Sequence, residues 1–327
     1  MIILTGGAGM IGSIIAWHLN TILNEDQFVI VDDLICPKQE KNISKRKFSE
    51  FIQKNDLLKY LKMNNKVSAV IHMGAISATT ENNFNRLLSS NIRYSQMLWS
   101  WCAKNNVPFI YASSAATYGL GEYGYNDSEE KIDDLVPLNA YGYSKHFFDQ
   151  WALQQIQSKS AIPPQWCGLK FFNVYGPNEY HKGRMASVVY HAFKQYQKEQ
   201  EIRLFKSEHP DFEDGMQLRD FIYVKDAVEC VIYLLKNRNI SGLFNVGTGK
   251  ARAFKEIGES VAKNLGGNNS AIKYIDLPAD LKEKYQYFTE ANINKIRNIG
   301  FKNNFKSLSE GISDYVKNYL VSGDPYA

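Results

Sequence analysis

Short uninterrupted apolar runs recur through the first half of the chain and alternate with longer stretches of helical character. Strands with this composition are covered on both faces, which is typical of parallel sheets. The runs predict strands at residues 1–5, 28–32, 67–72, 108–113 and 165–171. The stretches between them predict helices at residues 10–23, 84–105 and 143–157. Because strands and helices alternate, we expect a doubly wound parallel α/β domain.

After about residue 173 the pattern becomes irregular, which indicates a second, smaller α/β domain. Helices are predicted here at residues 186–200, 226–236, 254–265 and 308–320. Strands are predicted at 202–205, 220–224 and 243–246, and the polar stretch 207–217 predicts a loop. We expect residues 1–172 to bind a cofactor and residues 173–327 to bind a substrate, with a cleft between them. Segment 219–248 is expected to return to the sheet of the first domain.

Glycines mark the turn between the first predicted strand and helix, where Gly6, Gly9 and Gly12 form a G-x-x-G-x-x-G pattern. Gly6 permits a tight turn, Gly9 lets the backbone approach a pyrophosphate, and Gly12 lets helix and strand pack closely. The phosphates would face the unpaired N–H groups at the helix N-terminus. The pattern predicts a Rossmann-type dinucleotide-binding domain, and the alternative is a glycine-rich turn without a ligand.

Asp32 ends the second predicted strand, where a carboxylate can accept hydrogen bonds from an adenosine ribose, which favours NAD. A basic segment follows it and could instead neutralise the 2′-phosphate of NADP, or could simply be a solvated surface loop. Its cations are Lys38, Lys41, Lys45, Arg46, Lys47 and Lys54. We favour NADP and keep NAD as the alternative.

Tyr141 and Lys145 are spaced so that both side chains lie on one helix face, and Ser114 lies at the end of the strand before them. A phenol with a pKa of about 10 is a poor base at neutral pH. An adjacent ammonium and a nearby nicotinamide cation favour the phenolate, while the serine hydroxyl holds a substrate oxygen. Downstream of a dinucleotide loop, these residues predict acid/base chemistry beside a nicotinamide cofactor.

Composition excludes several classes of protein. The chain has 38 Lys and Arg against 34 Asp and Glu, and this net charge of +4 is too slight for a dedicated nucleic-acid binder. Four cysteines are spread singly without C-x-x-C or H-E-x-x-H, so we expect neither a disulfide framework nor a metal site. No segment approaches the roughly 20 apolar residues of a membrane span. Glycines interrupt the uncharged N-terminal run, which argues against a signal peptide, and we expect a cytoplasmic protein without a membrane partner.

Further motifs span nearly the whole chain and carry a resemblance to a known family. They lie at residues 6–12, 74–81, 111–119, 141–145, 172–177, 181–188, 219–221 and 285–289. Through them the chain resembles the extended short-chain dehydrogenase/reductases. Through G-A-I-S-A-T-T-E and H-K-G-R-M-A-S-V it resembles, more specifically, the ADP-L-glycero-D-manno-heptose 6-epimerases.

The resemblance implies an isomerase that converts ADP-D-glycero-D-manno-heptose to ADP-L-glycero-D-manno-heptose by epimerisation at C6″. Tightly bound NADP would oxidise this nucleotide sugar transiently to a 6-keto intermediate and return the hydride to its opposite face. The product would serve lipopolysaccharide inner-core synthesis. The resemblance also implies a cytoplasmic homo-oligomer, a pentamer.

Individual residues receive roles by the same resemblance. Tyr141 and Lys182 would be the acid/base residues, with Lys145 and Ser114 beside them. Cofactor contacts would come from Gly6, Gly9, Met10, Ile11, Gly12, Asp32, Asp33, Lys54, Met73, Gly74, Ala75, Ile76, Ser77, Asn91, Tyr141, Lys145, Val174 and Lys182. Substrate contacts would come from Ser114, Asn173, Arg184, His191, Phe205, Lys206, Ser207, Arg219 and Tyr285.

Some of these roles have simpler alternatives. Lys182 could only neutralise a substrate phosphate, which would leave Tyr141 as the sole acid/base residue. His191 could be an ordinary helix histidine, and Arg219 could pair with Asp220 or Glu213.

Three rival functions are weighed against the epimerase. Nucleotide-sugar 4,6-dehydratases of this superfamily place Asp-Glu where this chain has Ala115 and Ala116, and alanine transfers no proton. A UDP-hexose 4-epimerase shares the Ser, Tyr and Lys and stays open as an alternative. A non-catalytic NADP-sensing protein, of a different class, commonly loses the Tyr or the Lys, and both are present here.

Overall fold

A parallel sheet of seven strands organises the part of the chain that the computed structural model describes, residues 1–64, 66–279, 282 and 285–327. Its strands are β1 (Ile2–Thr5), β2 (Phe28–Asp32), β3 (Glu50–Gln53), β4 (Ala69–His72), β5 (Phe109–Ser114), β6 (Trp166–Phe171) and β10 (Gly242–Val246). They lie in the order β10-β6-β5-β4-β1-β2-β3 and pair in parallel throughout. The predicted doubly wound fold is confirmed, and the strand order reverses between β1 and β4.

Helices cover both faces of this sheet. They are α1 (Met10–Thr21), α2 (Pro37–Ile43), α3 (Leu57–Met63), α4 (Phe84–Leu87), α5 (Tyr94–Asn105), α6 (Ala140–Gln157) and α8 (Val224–Lys236). Alternate strand residues enter two separate apolar clusters: Leu4 packs with side chains of α1 and α8, whereas Ile3 packs with side chains of α3 and α5. Burial of both faces explains why these strands read as continuous apolar runs.

The second half of the chain adds two small sheets. One contains β7 (Asn173–Tyr175), β9 (Leu218–Tyr223) and β11 (Ala251–Ala253), and the other pairs β8 (Ile202–Phe205) with β12 (Ile272–Ile275). The helices that accompany these two sheets are α7 (Val188–Glu199), α9 (Phe254–Asn264), α10 (Asn294–Asn298) and α11 (Leu308–Tyr315). The smaller α/β portion predicted from the sequence is therefore present.

The structure differs from the sequence prediction in several details. Within segment 219–248 only β10 joins the main sheet, beside β6, whereas β9 pairs with β7 and β11. The patterns of β3 and β7 predicted no strand, because each is short and carries exposed residues. The expected helix 84–105 contains a π-helical turn at Leu88–Arg93. Helix α6 begins at Ala140, before the predicted residue 143, so that Tyr141 lies in its first turn.

The described residues show neither a membrane-spanning helix nor a cluster of metal ligands. Among them, no helix is both long and apolar enough to cross a membrane. The same residues contain no group of three or more His, Cys, Asp or Glu side chains that could hold a metal ion. Cys36, Cys102, Cys167 and Cys230 are free thiols.

Candidate active site

The glycine loop joins β1 to α1 at the carboxyl edge of the sheet, next to the point where strand order reverses. Such a position is where open α/β sheets bind ligands. Gly6 has a φ of +66°, and a Cβ there would lie 2.4 Å from the backbone nitrogen of Gly74. A Cβ on Gly12 would lie 2.1 Å from the carbonyl oxygen of Gly6. Gly9 caps α1 without a side-chain hydrogen bond, which leaves the helix N-terminus open to phosphate oxygens.

We expect Gly12→Ala to weaken dinucleotide binding at least about tenfold, because the added methyl group must push the loop away from α1. The dissociation constant for NADP and for NAD, measured by fluorescence titration, checks this. Gly323→Ala is the matched control, since a Cβ there meets no atom within 4 Å. Wild-type affinity in the folded Gly12→Ala variant would contradict the assigned role of the loop.

Asp32, the last residue of β2, contacts this glycine loop. Its carboxylate accepts hydrogen bonds from the backbone nitrogens of Ala8 and Asp33, both at 2.8 Å, and burial raises its pKa. The backbone nitrogen of Lys54, after β3, donates to Asp33 at 3.2 Å. The Lys54 ammonium donates to Ser90 at 3.1 Å. These features fit a dinucleotide: the glycine loop, the acidic residue at the end of β2 and the open N-terminus of α1.

Asn91 connects the segment after β4 to the helix that carries Tyr141. Its amide exchanges two hydrogen bonds with the backbone of Ile76, both at 2.9 Å, and donates a third to Ser144 of α6 at 2.9 Å. Met73 donates from its backbone nitrogen to Thr5 at 3.0 Å, which joins the segment to β1. The predicted cofactor residues 73–77 and Asn91 therefore lie together, beside the glycine loop.

The catalytic candidates meet at the carboxyl end of β5. Ser114 ends this strand, and its side chain lies close enough to Tyr141, in the first turn of α6, to lower the pKa of that phenol. Asn139 caps α6 by accepting a hydrogen bond from Gly142 at 2.8 Å, which fixes that turn. One turn further along, the buried Lys145 donates to the carbonyl oxygen of Ala112 at 2.8 Å.

Burial governs the electrostatics of this trio. It raises the pKa of Tyr141; the neighbouring Ser114 only partly opposes this shift, and the Asp149 carboxylate adds to it. Burial lowers the pKa of Lys145 to about 8, against the raising effect of the Asp149 carboxylate. The protein's own groups therefore do not lower the phenol pKa by themselves. Ionisation of Tyr141 therefore requires positive charge at the site, from protonated Lys145 and from a bound nicotinamide.

We expect turnover to fall as the pH rises through about 8, where Lys145 loses its proton. Loss of the Lys145 proton does not itself destabilise the fold. Between the folded pKa of about 8 and the ordinary value of 10.5 the unfolded chain retains this proton, so Lys145 contributes increasing stability with pH. The pH dependence of kcat checks this. Lys145→Arg should move the alkaline limb upward, and an unmoved limb would assign it to another group.

Lys182 approaches the glycine loop from the second half of the chain. Its ammonium lies 3.8 Å from the sulfur of Met10, the first residue of α1. The nearby Asn178 side chain donates to the Ser13 hydroxyl at 2.9 Å, which ties the Lys182 loop to α1. Burial lowers the pKa of Lys182, and the carboxylate of the buried Glu179 opposes this shift.

Arg219 forms the cationic part of the substrate region. Only 6% exposed, it stacks on Phe254 and Tyr285 with its guanidinium carbon 5.7 and 5.4 Å from the ring centres. Phe205 meets Tyr285 edge to face at 6.3 Å. The suggested pairing of Arg219 with Asp220 or Glu213 is absent among the described ion pairs. Asp220 instead accepts hydrogen bonds from the backbone and hydroxyl of Thr248, both at 2.7 Å.

The remaining predicted substrate residues are more scattered. His191 contacts the carbonyl oxygen of Arg184 through its ring nitrogen at 3.3 Å, so these two lie together. Exposed Lys206 pairs with Asp276 at 2.9 Å. The backbone nitrogen of Ser207 donates to Asp214 at 2.8 Å, within the loop itself. Asn173 and Val174 lie in β7, directly after β6.

Comparison with known proteins decides the family. The sequence profile of the NAD dependent epimerase/dehydratase family matches residues 2–247. The chain belongs to this family.

Relatives of this epimerase/dehydratase are similar over the whole chain. An ADP-L-glycero-D-manno-heptose-6-epimerase of Fusobacterium nucleatum is 51% identical, with both chains fully covered. One of Nitratidesulfovibrio vulgaris is 45% identical, also over both full lengths. The crystal structure of the Helicobacter pylori ADP-L-glycero-D-manno-heptose-6-epimerase is 29% identical, covers 97% of this chain and 95% of its own, and superposes with a TM-score of 0.80. The resemblance predicted from the motifs is confirmed.

The epimerase/dehydratase site contains two residues that the sequence did not single out. Gln286 accepts a hydrogen bond from Arg219 at its carbonyl oxygen and donates from its side chain to the carbonyl oxygen of Gly119. Glu179 accepts from the Ser187 hydroxyl at 2.7 Å, at the start of α7. Both lie inside or beside matched motifs, but their partners are distant in sequence. The family assignment and the glycine loop establish a nicotinamide dinucleotide as the cofactor.

Proposed function

We propose that this epimerase inverts C6″ of ADP-D-glycero-D-manno-heptose, for lipopolysaccharide inner-core synthesis. One observation carries the proposal: two groups able to transfer protons border the dinucleotide site from different halves of the chain. Tyr141 lies beside Ser114, which lowers its pKa, and the Lys182 ammonium lies 3.8 Å from the Met10 sulfur. The 51% identity to a full-length relative of that name supports the choice of substrate.

The chemistry follows from the positions of these side chains. A nicotinamide dinucleotide supplies a reversible hydride acceptor when bound. Tyr141 accepts the proton of the C6″ hydroxyl, while Ser114 holds the oxygen and protonated Lys145 stabilises the phenolate. The sugar end must then turn to present its opposite face. Lys182 donates the proton to the ketone oxygen in this second orientation.

Arg219 anchors the other end of the substrate. A planar guanidinium binds diphosphate oxygens in pairs, and its stacking on Tyr285 and Phe254 fixes its plane. Binding energy from this remote group holds the reactive keto sugar in the site while the heptose end reorients. A fixed anchor and a free sugar end are what inversion at C6″ requires.

A dehydratase reading is disfavoured by the turn after Ser114. Ala115 and Ala116 open this turn, at the place where elimination of water would require an acid and a base. The UDP-hexose 4-epimerase remains the second candidate because it shares the trio. The Thermus thermophilus UDP-glucose 4-epimerase, at 24% identity and a TM-score of 0.80, shares the fold.

A substrate panel separates these candidates. The purified protein is incubated with ADP-D-glycero-D-manno-heptose, UDP-glucose and UDP-galactose in parallel, and products are separated by chromatography and examined by NMR. Epimerisation of the ADP-heptose alone is expected. Turnover of the UDP-hexoses with an unchanged ADP-heptose would establish the 4-epimerase instead, and no turnover of any sugar would favour a binding protein.

We further propose NADP as the cofactor. Lys38 lies in the first turn of α2, shortly after Asp32, and Lys54 follows β3, which pairs with β2 beside Asp32. Two cations near the ribose end suit a 2′-phosphate. Lys45 does not join them, because it pairs with Asp324 at the C-terminal end of the chain. Denaturing the purified protein and assaying the supernatant should release NADP, and release of NAD alone would contradict this choice.

We also propose that the protein is a cytoplasmic homo-oligomer, a pentamer. The resemblance to the ADP-L-glycero-D-manno-heptose 6-epimerases supports this assembly. Sedimentation equilibrium of the purified protein should give five times the mass of one chain. A monomeric mass across the concentration range would contradict it.

A further inference from the structure

A buried ion pair lies behind the active site. The ammonium of Lys170 in β6 lies 2.9 Å from the carboxylate of Asp149 in α6, and the two side chains are 2% and 0% exposed. Removing two charges from water is costly unless both gain further hydrogen bonds. The proposed chemistry uses neither residue directly, so their retention in the interior requires another explanation.

Asp149 fixes the helix that carries the acid/base residues. It lies one turn beyond Lys145 and two turns beyond Tyr141, on the same face of α6. Its carboxylate accepts hydrogen bonds from the hydroxyls of Ser113 at 2.6 Å and Tyr111 at 3.0 Å, both in β5. These contacts join α6 to the strand residue immediately before Ser114.

Lys170 fixes the other side of Ser114. Its ammonium donates to the hydroxyl of Thr117 at 2.8 Å, and that hydroxyl donates to the carbonyl oxygen of Ser114 at 2.9 Å. The Ser114 hydroxyl also accepts from the backbone nitrogen of Ala116 at 3.1 Å, in the same turn. Ser114 is therefore held from both directions by a single pair of opposite charges.

We propose that Asp149 and Lys170 are positioning residues for the epimerase reaction. The pair sets the relative position of Ser114 and Tyr141 by fixing, in one network, the turn after β5 and the inner face of α6. This inference rests on the proposed function, because Ser114 and Tyr141 are the groups positioned. The Asp149 charge also favours the protonated form of Lys145, and it raises the pKa of Tyr141.

Substituting either charged residue would leave a buried charge unpaired and could unfold the protein, so the test uses Thr117→Val. This nearly isosteric change keeps the ion pair but breaks its link to Ser114. We expect kcat to fall roughly 10- to 10²-fold, the size of effect that small misplacements of reacting groups produce, with KM within about twofold of wild type. Thr117→Ser restores the hydroxyl and should recover most of the rate.

Tyr233→Phe is the matched control, because it also removes a hydroxyl that donates to a backbone carbonyl, that of Ile299, but far from the site. It should lower the melting temperature about as much as Thr117→Val and leave kcat unchanged. Equal losses of kcat in both variants, or wild-type kcat in Thr117→Val, would overturn the proposal.

A second readout does not depend on the substrate. The pKa of Tyr141, followed by NMR titration of tyrosine-labelled protein and assigned with Tyr141→Phe, should rise further in Thr117→Val, because displaced Ser114 no longer lowers it. An unchanged Tyr141 pKa would overturn the positioning role. Failure of the wild-type protein to epimerise ADP-heptose would instead count against the proposed function, whatever this titration shows.

Discussion

Tyr141→Phe is expected to reduce turnover about 10²- to 10⁴-fold, the usual contribution of a positioned acid/base group. In the proposed mechanism the phenol oxygen accepts the sugar proton, and Ser114 lies beside it. Only one hydroxyl is removed and the ring remains, so the fold and the bound dinucleotide should persist. Steady-state kinetics on ADP-D-glycero-D-manno-heptose, with a thermal unfolding curve for each protein, measures the effect.

Tyr143→Phe provides the matched control on the same helix. Its half-exposed ring packs on Phe147, 5.7 Å between ring centres, and it belongs to no part of the proposed site. It should turn over like wild type. Near-normal epimerisation by folded Tyr141→Phe would remove Tyr141 from the mechanism.

Lys182→Met is expected to lose epimerisation about as severely, roughly 10²- to 10⁴-fold. In the proposed mechanism the ketone oxygen of the turned sugar no longer faces Tyr141, so a second proton donor is needed. Lys182 is suited to this task because its long side chain reaches the dinucleotide loop at Met10. Methionine keeps the apolar length and removes the charge, so dinucleotide and ADP-heptose should still bind.

The two roles open to Lys182 differ in steady-state kinetics. A lost proton donor lowers kcat, whereas a lost phosphate contact raises KM and largely preserves kcat. Lys194→Met, an exposed lysine on α7, controls for the loss of one positive charge and should leave both constants unchanged. A change confined to KM in Lys182→Met would leave Tyr141 as the sole acid/base residue.

The sequence predicted most reliably the elements whose burial produces a local pattern of apolar residues. Strands such as β2 and β6 are covered on both faces, and their apolar runs follow directly from that. Strand β3 lies at the edge of the sheet, where Glu50 and Gln53 are exposed, so no apolar run marks it. The dinucleotide loop could be predicted from its glycine spacing because each glycine meets a local steric requirement.

Contacts between distant residues could not be read in this way. Lys182 and Met10 are 172 residues apart in sequence, and only the folded chain brings them together. Asp149 and Lys170 have no local pattern that pairs them. Even residues adjacent in sequence did not pair as suggested, because neighbouring residues of a strand point to opposite faces of the sheet. Arg219 and Asp220 therefore have different partners, the rings of Tyr285 and Phe254 and the loop at Thr248.

One NMR experiment tests the central claim, that C6″ is inverted by removing and returning the same hydrogen. ADP-D-glycero-D-manno-heptose carrying deuterium at C6″ is incubated with the enzyme in ordinary water until equilibrium, and the L-glycero product is isolated. We expect the product to retain deuterium at C6″, because a hydride held on a bound dinucleotide does not exchange with solvent. A product with ordinary hydrogen at C6″, or an unchanged substrate, would contradict it.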